Sequence, residues 1–167
     1  LSAWRIVMED IATTPCSTDA VRPVVTDSVT RGVLRFFMDL GFAPMTEIPL
    51  TNGRRVDVLA LDRRGKAVIV EVKSSVADYR ADRKWTEYLD YCEEFYFAVD
   101  ASFPRELFDE SDSLPETVGV IVADSYGADI LRPAAVRPVN AARRKTLTLR
   151  MARAGAQRLS SQMIGRP

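Results

Sequence analysis

The chain has 167 residues, 47% of them apolar, with 23 basic and 23 acidic side chains and no histidine. That length supports one domain with a sizeable core. The missing histidine excludes Ser-His-Asp and Cys-His nucleophile systems, histidine bases and most zinc sites, so acid, base and ligand roles fall to carboxylates, lysine, tyrosine, backbone and water.

Residues 1–25 mix Pro15, Pro23, Ser and Thr with little periodicity and are read as a mostly irregular leader. Leu1 precedes Met8, so part of this leader could be upstream sequence. From about Thr26, Val29, Val33, Phe36, Phe37 and Leu40 recur at threes and fours, with Arg31, Arg35 and Asp39 between them. This spacing predicts an amphipathic helix, capped by Thr26 or Asp27 and ended by Gly41. Phe42 to Leu50 reads as a strand that Pro44 and Pro49 weaken, which favours an edge strand or an irregular one. Glu47 is the only acid on it. Thr51-Asn52-Gly53-Arg54 then turns the chain.

Next come two apolar runs, Val56 to Leu61 and Ala67 to Lys73, interrupted by Asp57, Glu71 and Lys73. Gly65 suits the left-handed position of a three-residue hairpin loop, Arg63-Arg64-Gly65, with Asp62 facing Lys66 across the neck. That register puts Asp57 opposite Glu71. Strand side chains alternate, so Asp57, Glu71 and Lys73 then share one face. A two-residue loop on Arg64-Gly65 would slip the pairing and separate the two acids.

Charges inside β-branched runs are costly to bury unless something compensates them. Two carboxylates and the Val72 backbone carbonyl suit a hard divalent ion, Mg²⁺ or in its place Mn²⁺. Such an ion activates water and offsets charge on a phosphate, with Lys73 positioning the nucleophile. The bland alternative is a surface hairpin carrying a Glu-Lys pair.

Asp78 to Glu94 is read as one helix with Ala81, Trp85, Tyr88, Leu89 and Cys92 on its apolar side, where packing outweighs base stacking. Asp78, Arg80, Asp82, Arg83 and Lys84 could rim the charged cluster, and Arg80 or Lys84 could hold a phosphate. Phe95 to Val99 and Val118 to Ala123 are strands, joined by a linker with a helical turn near Pro104 to Asp109. After the prolines of Arg132 to Pro138, Ala141 to Met163 reads as a basic helix with Leu147, Met151, Ala154 and, further along, Leu159 on one side.

The last acid is Asp129, and nine basic residues follow it. Arg143, Arg144, Lys145 and Arg150 among them are candidates for nucleic-acid contact, against the alternative of pairing with the acidic body of the chain. The expected division is a leader over 1–25, an α/β domain over 26–133 and a basic helical extension over 134–167 packing on that domain. Cys16 and Cys92 are too few for a disulfide framework, and no apolar run reaches the roughly 20 residues that span a bilayer. A soluble, cytoplasmic protein with reduced thiols and no membrane partner is expected.

The order α-β-β-β-α-β with Asp57 and Glu71-x-Lys73 resembles the PD-(D/E)xK nuclease superfamily, the fold of restriction endonucleases and archaeal Holliday junction resolvases. More closely, Val29-Thr30-Arg31-Gly32-Val33, Asn52-Gly53-Arg54-Arg55, Ile69 to Ser75, and Asp82-Arg83-Lys84-Trp85 with Tyr88 to Cys92 resemble the MmcB-type DNA repair proteins of bacteria. The resemblance runs from about Thr26 to the basic tail. It implies an α/β, restriction-endonuclease-like αβββαβ core with a mixed central sheet flanked by helices, plus the basic C-terminal helix.

It also implies a Mg²⁺-dependent endonuclease that hydrolyses phosphodiester bonds in DNA repair, with Asp57, Glu71 and Lys73 as the catalytic set. Expected partners are duplex or branched DNA, with a homodimer or other repair proteins as further ones. The chain departs from the superfamily pattern at Val56, where a proline is usual, and at Thr30, where the first helix often carries a glutamate. Asp27 or Glu47 could supply a third carboxylate, and Glu47 is the preferred metal-ligand candidate. The alternatives are a nuclease-fold scaffold that binds DNA without cutting it and an RNA-processing nuclease.

Overall fold

The computed structural model describes residues 18–109 and 114–165. Most of the expected leader lies outside them, but its last residues do not follow the irregular reading. Helix α1 spans Thr18–Asp39 and begins well ahead of Thr26, so Thr26 and Asp27 lie inside it rather than capping it. The helix runs through Pro23, its sixth residue, although proline supplies no N–H to the helix ladder. The C-terminus of α1 follows expectation. Gly41 takes a φ of 80°, its N–H donates to Met38 O, and the Phe42 N–H donates to Phe37 O, which closes the helix with a Schellman motif.

Six strands form one mixed sheet in the order β1 (Ala43–Pro49), β2 (Arg55–Leu61), β3 (Ala67–Val72), β4 (Glu94–Val99), β5 (Gly119–Ala123) and β6 (Ala128–Arg132). β3, β4 and β5 run parallel, and the other neighbours are antiparallel. The proline-bearing β1 is an edge strand, as Pro44 and Pro49 require. The other edge, β6, was not foreseen. Its Ile130 and Leu131 remain 41% and 43% exposed, so the segment shows no apolar alternation to read.

Each face of the sheet carries its own core. On one, Val29, Val33 and Phe37 of α1 pack on Val58, Ala60, Val68, Val70, Ala98 and Ile121. The other buries Leu59, Ile69, Phe95, Phe97 and Val120 beneath Tyr88, Tyr91, Leu147 and Met151. Leu147 and Met151 belong to α3, Ala141–Met163, which has the predicted boundaries and starts on an Asn140 cap. This three-layer α/β arrangement, a mixed sheet flanked by helices, has the expected αβββαβ order, extended by β6 and α3.

Between β3 and β4 the expected single helix is broken. A short α2 covers Val76–Ala81, and a 3-10 helix covers Trp85–Tyr91. The break falls at Asp82, which is extended rather than helical. The linker after β4 contains a short 3-10 turn at Arg105–Phe108, within the predicted Pro104 to Asp109.

Gly32 explains why α1 can lie so close to the turn after β5. A Cβ there would stand 2.0 Å from Asp124 O and 2.4 Å from Gly127 O, and Ser28 and Ser125 share a 2.9 Å hydroxyl contact at the same junction. Alanine normally favours a helix over glycine by about 1 kcal/mol. Here Gly32→Ala is expected to destabilise the protein by roughly 1–3 kcal/mol through overpacking, measured by urea denaturation. Unchanged or increased stability would show that the turn yields without cost.

Candidate active site

The hairpin turn sets the site. Gly65 has a φ of 79°, Asp62 and Lys66 close the neck at 3.0 Å, and the Asp62 carboxylate accepts 2.8 Å bonds from the N–H groups of Arg64 and Lys66. The resulting register pairs Leu59 with Ile69 and Val58 with Val70, where the regular ladder stops. One step further, side chains replace backbone partners. The Val72 N–H donates to Asp57 Oδ2 at 2.8 Å, and the Asp57 N–H donates to Glu71 Oε1 at 3.3 Å. The strands are thus held apart by the two carboxylates that the sequence places opposite each other.

Lys73 follows at the end of β3, where its N–H donates to Ala98 O at 2.8 Å. Its side chain is only 6% exposed, as is Glu71. The ammonium bonds Asp82 Oδ2 at 2.6 Å, lies 4.0 Å from Glu71 Oε2, and sits 5.5 Å from the centre of the Phe97 ring. Asp82 also accepts a 2.8 Å bond from the Lys84 N–H, which pins the turn that presents it. Upstream, Ser75 caps α2 by accepting from the Asp78 N–H. Asp82 reaches the lysine because the chain leaves the helix there.

Burial dominates the electrostatics. It pushes the Glu71 carboxyl up to about 8, with the neighbouring Asp57 charge adding to the effect and Lys73 opposing it. Asp57 is also raised, chiefly by burial, against the Val72 N–H bond and the Lys73 charge. Burial pulls Lys73 down, but the Asp82 bond and the charges of Asp82, Glu71 and Asp78 outweigh it and hold the ammonium above its ordinary value. Burial likewise works against Asp82, yet its bonds from Lys73 and the Lys84 N–H lower it. The site therefore contains a charged lysine and two carboxyls that resist carrying two full negative charges together.

The remaining sequence candidates are distributed around this centre. Glu47 stands between the Thr46–Val58 and Ile48–Val56 pairs, opposite Asp57, with a left-handed φ of 57°. Its carboxylate pairs with Arg55 rather than joining Asp57 and Glu71. Among the described residues, no group of three or more acids, cysteines or histidines is arranged to hold a metal ion. Asp27 is on α1. Arg80 and Lys84 are exposed on the segment after Lys73.

The tail residues divide. Arg143 pairs with Asp90, Arg144 with Glu93, and Arg150 donates to Pro49 O, whereas Lys145 is exposed. Trp85 and Tyr88 stack on Phe95, inside the core. The residue that sequence reading undervalued is Asp82. Its place among the residues expected to rim the charged cluster gives it no specific partner, although a buried lysine signals the need for an acid nearby.

The sequence profile described as "DNA repair protein MmcB-like" matches residues 13–165. The chain belongs to this MmcB-like family of DNA repair proteins. No curated protein matches it. Among solved structures, a protein of unknown function from Silicibacter pomeroyi is 38% identical, with a TM-score of 0.76 over 83% of this chain and 91% of that one. A repair endonuclease from Pyrococcus abyssi is 18% identical, with a TM-score of 0.33 over 58% of this chain and 41% of that one. Within the MmcB-like domain, the segments that carry the sequence resemblance have physical roles. Gly32 seats α1, Arg54 forks onto Glu87 at 2.9 and 2.8 Å, and Asp82 holds Lys73. Among the described residues no helix is long and apolar enough to cross a membrane.

Folding takes up a proton at Glu71 wherever the unfolded chain has released it and the folded chain has not, from 4.5 to about 8. The folded state then binds more protons than the unfolded one, so stability falls as pH rises through that window, and the raised Asp57 adds to the fall. Urea melts at about pH 5 and about pH 9 are expected to show this loss, with a shallower slope in Glu71→Gln. Equal slopes would remove Glu71 as the proton carrier.

Asp82→Ala is expected to cost about 3 kcal/mol, because it strands a buried ammonium. The double variant Lys73→Met, Asp82→Ala should recover most of that loss. A double variant no more stable than Asp82→Ala would show that the pair is not what the segment depends on.

Proposed function

We propose that this MmcB-like chain is a metal-dependent DNA phosphodiesterase in repair, hydrolysing the backbone at the Asp57, Glu71 and Lys73 centre. The observation that carries the reading is the apposition of the half-buried Asp57 and the buried Glu71 through their backbone N–H bonds, with a buried charged lysine beside them. Burying this set costs stability, and the position of a hairpin end does not require it.

The donor set fits a divalent ion. Asp57 and Glu71 offer oxygen, and the positive charge nearest to them is already bonded to Asp82. Asp57, Glu71 and the Val72 carbonyl would hold Mg²⁺, or Mn²⁺ in its place, with water completing the shell. When bound, the ion would supply water activation and offset the charge developing on the phosphate.

The chain's own groups prepare the rest. The Val72 and Asp57 N–H groups fix the two carboxylates in orientation before any substrate arrives. Lys73 keeps its proton, so its part is to orient the attacking water and offset phosphate charge, not to act as a base. Exposed Arg80, Lys84 and Lys145 offer contacts for the sugar-phosphate backbone of duplex or branched DNA.

A second reading is favoured by a specific feature. Asp82 is tied to Lys73, and Glu47 is tied to Arg55, so among the described residues no third carboxylate joins Asp57 and Glu71 in a group that could hold a metal ion. This suits a protein that binds DNA on a nuclease fold without cutting it.

Asp57→Ala, Glu71→Ala and Lys73→Ala should each reduce Mn²⁺- or Mg²⁺-dependent cleavage of nicked and branched duplexes to background, with the fold retained by circular dichroism. Wild-type turnover by any of them would sink the nuclease assignment. Titration calorimetry separates the second reading: wild-type protein that binds DNA but takes up neither ion through Asp57 and Glu71 is a binding protein.

A further inference from the structure

A cavity of about 580 Å³ opens on the same side of the sheet as the 3-10 helix, between the start of α3 and the β1–β2 turn. Thr51, Tyr91, Asn140, Arg143, Thr146 and Arg150 line it, with Ala142 and Leu147, and no carboxylate is among them. Arg143 and Arg150 are two helical turns apart, so they project from one side of α3 with Thr146 between them.

Both guanidinium groups are anchored. Arg143 Nη1 donates to Asp90 O at 2.9 Å, and its guanidinium lies 4.9 Å from the centre of the Tyr91 ring. Arg150 Nη1 donates to Pro49 O at 3.2 Å. Asp90 stands 3.3 Å from Arg143, but among the described residues no carboxylate pairs with Arg150. An arginine has five N–H donors, so one bond to a carbonyl fixes Arg150 and leaves most of its donors and its charge, whereas Arg143 shares its charge with Asp90 and keeps donors to spare. Across the cavity, Thr51 Oγ1 and Tyr91 OH share a 2.9 Å hydrogen bond. Only one of the two hydroxyls donates in that bond, and the other keeps a proton for a ligand.

Held arginines, a spare hydroxyl donor and a lining without a carboxylate form an anion site suited to the fork geometry of phosphate oxygens, with Asp90 on the far side of Arg143 as the one acid paired there among the described residues. The volume exceeds what inorganic phosphate needs and falls in the range of small-molecule sites. We infer that this cavity is a phosphate subsite that accepts a nucleotide, with Arg143 and Arg150 on the phosphate. The nucleotide is either free or part of a DNA strand. The inference does not depend on cleavage at Asp57 and Glu71, because it uses none of that centre's residues.

The test is NMR titration of the full chain with dAMP, with a short oligonucleotide bearing a 5′-phosphate, and with the same oligonucleotide lacking it. Amide shifts are expected at Thr51, Tyr91 and along Asn140 to Arg150, with affinity at least about tenfold weaker in Arg150→Gln and in Arg143→Gln. Binding of dAMP assigns a free nucleotide. Preference for the 5′-phosphorylated strand assigns a strand end, and equal binding of both strands assigns a backbone phosphate. Asp57→Asn should leave these shifts unchanged even if it abolishes cleavage, so the two readings fail separately. Shifts from none of the three ligands at these amides, or shifts that survive in the Arg143→Gln, Arg150→Gln double variant, would overturn the inference. The wild-type titration decides even if a variant does not fold.

Discussion

Two carboxylates meet at the place where the β2–β3 ladder ends, and that meeting constrains everything around it. Asp57 accepts the Val72 N–H and Glu71 accepts the Asp57 N–H just beyond the last ladder pair, so the two acids take over as hydrogen-bond partners where the strands part. Their position follows from the Asp62 to Lys66 turn, since a slip of one residue would put them on opposite faces. The cost of burying both appears as raised proton affinity, greatest at Glu71.

The lysine beside them shapes the next part of the chain. A buried ammonium needs an acid, and Asp82 supplies it only by leaving the helix that the sequence pattern suggests. The chain then resumes as a 3-10 helix, whose Trp85 and Tyr88 stack on Phe95. Phe97 contacts Trp85 and Tyr79, and its ring also lies near the Lys73 ammonium. Core packing and site geometry therefore share residues, which makes the position of Lys73 a property of the whole sheet face.

The basic tail does two kinds of work. Arg144 reaches Glu93, whose other oxygen accepts the Ala67 N–H at 2.7 Å, so this pair ties α3 to the start of β3. Arg158 donates to Glu47 O, and Gly155 leaves room for Met45, so the far half of α3 lies along the edge strand β1. Most of these bonds end on backbone carbonyls. They attach the helix while leaving positive charge uncancelled, and this is why a structural tail can also present a basic cavity.

Much of this was legible in the amino-acid order. Gly65 and the alternating apolar runs determined the hairpin register, the proline positions made β1 an edge, and the stripe of Leu147 and Met151 placed α3 with its observed ends. These are local signals, carried by turn conformation and periodicity over a few residues. Tertiary structure decided the rest. It extended α1 through Pro23, although proline supplies no N–H to the helix ladder. It made β6 from a segment with no alternation, because an edge strand is held by its neighbour's backbone and not by its own side chains. It also took Asp82 out of a helix to meet Lys73, and gave Glu47 to Arg55 instead of to the carboxylate pair. Those choices depend on which charges are buried together, and burial is set by packing across the whole domain rather than by the spacing of residues along the chain.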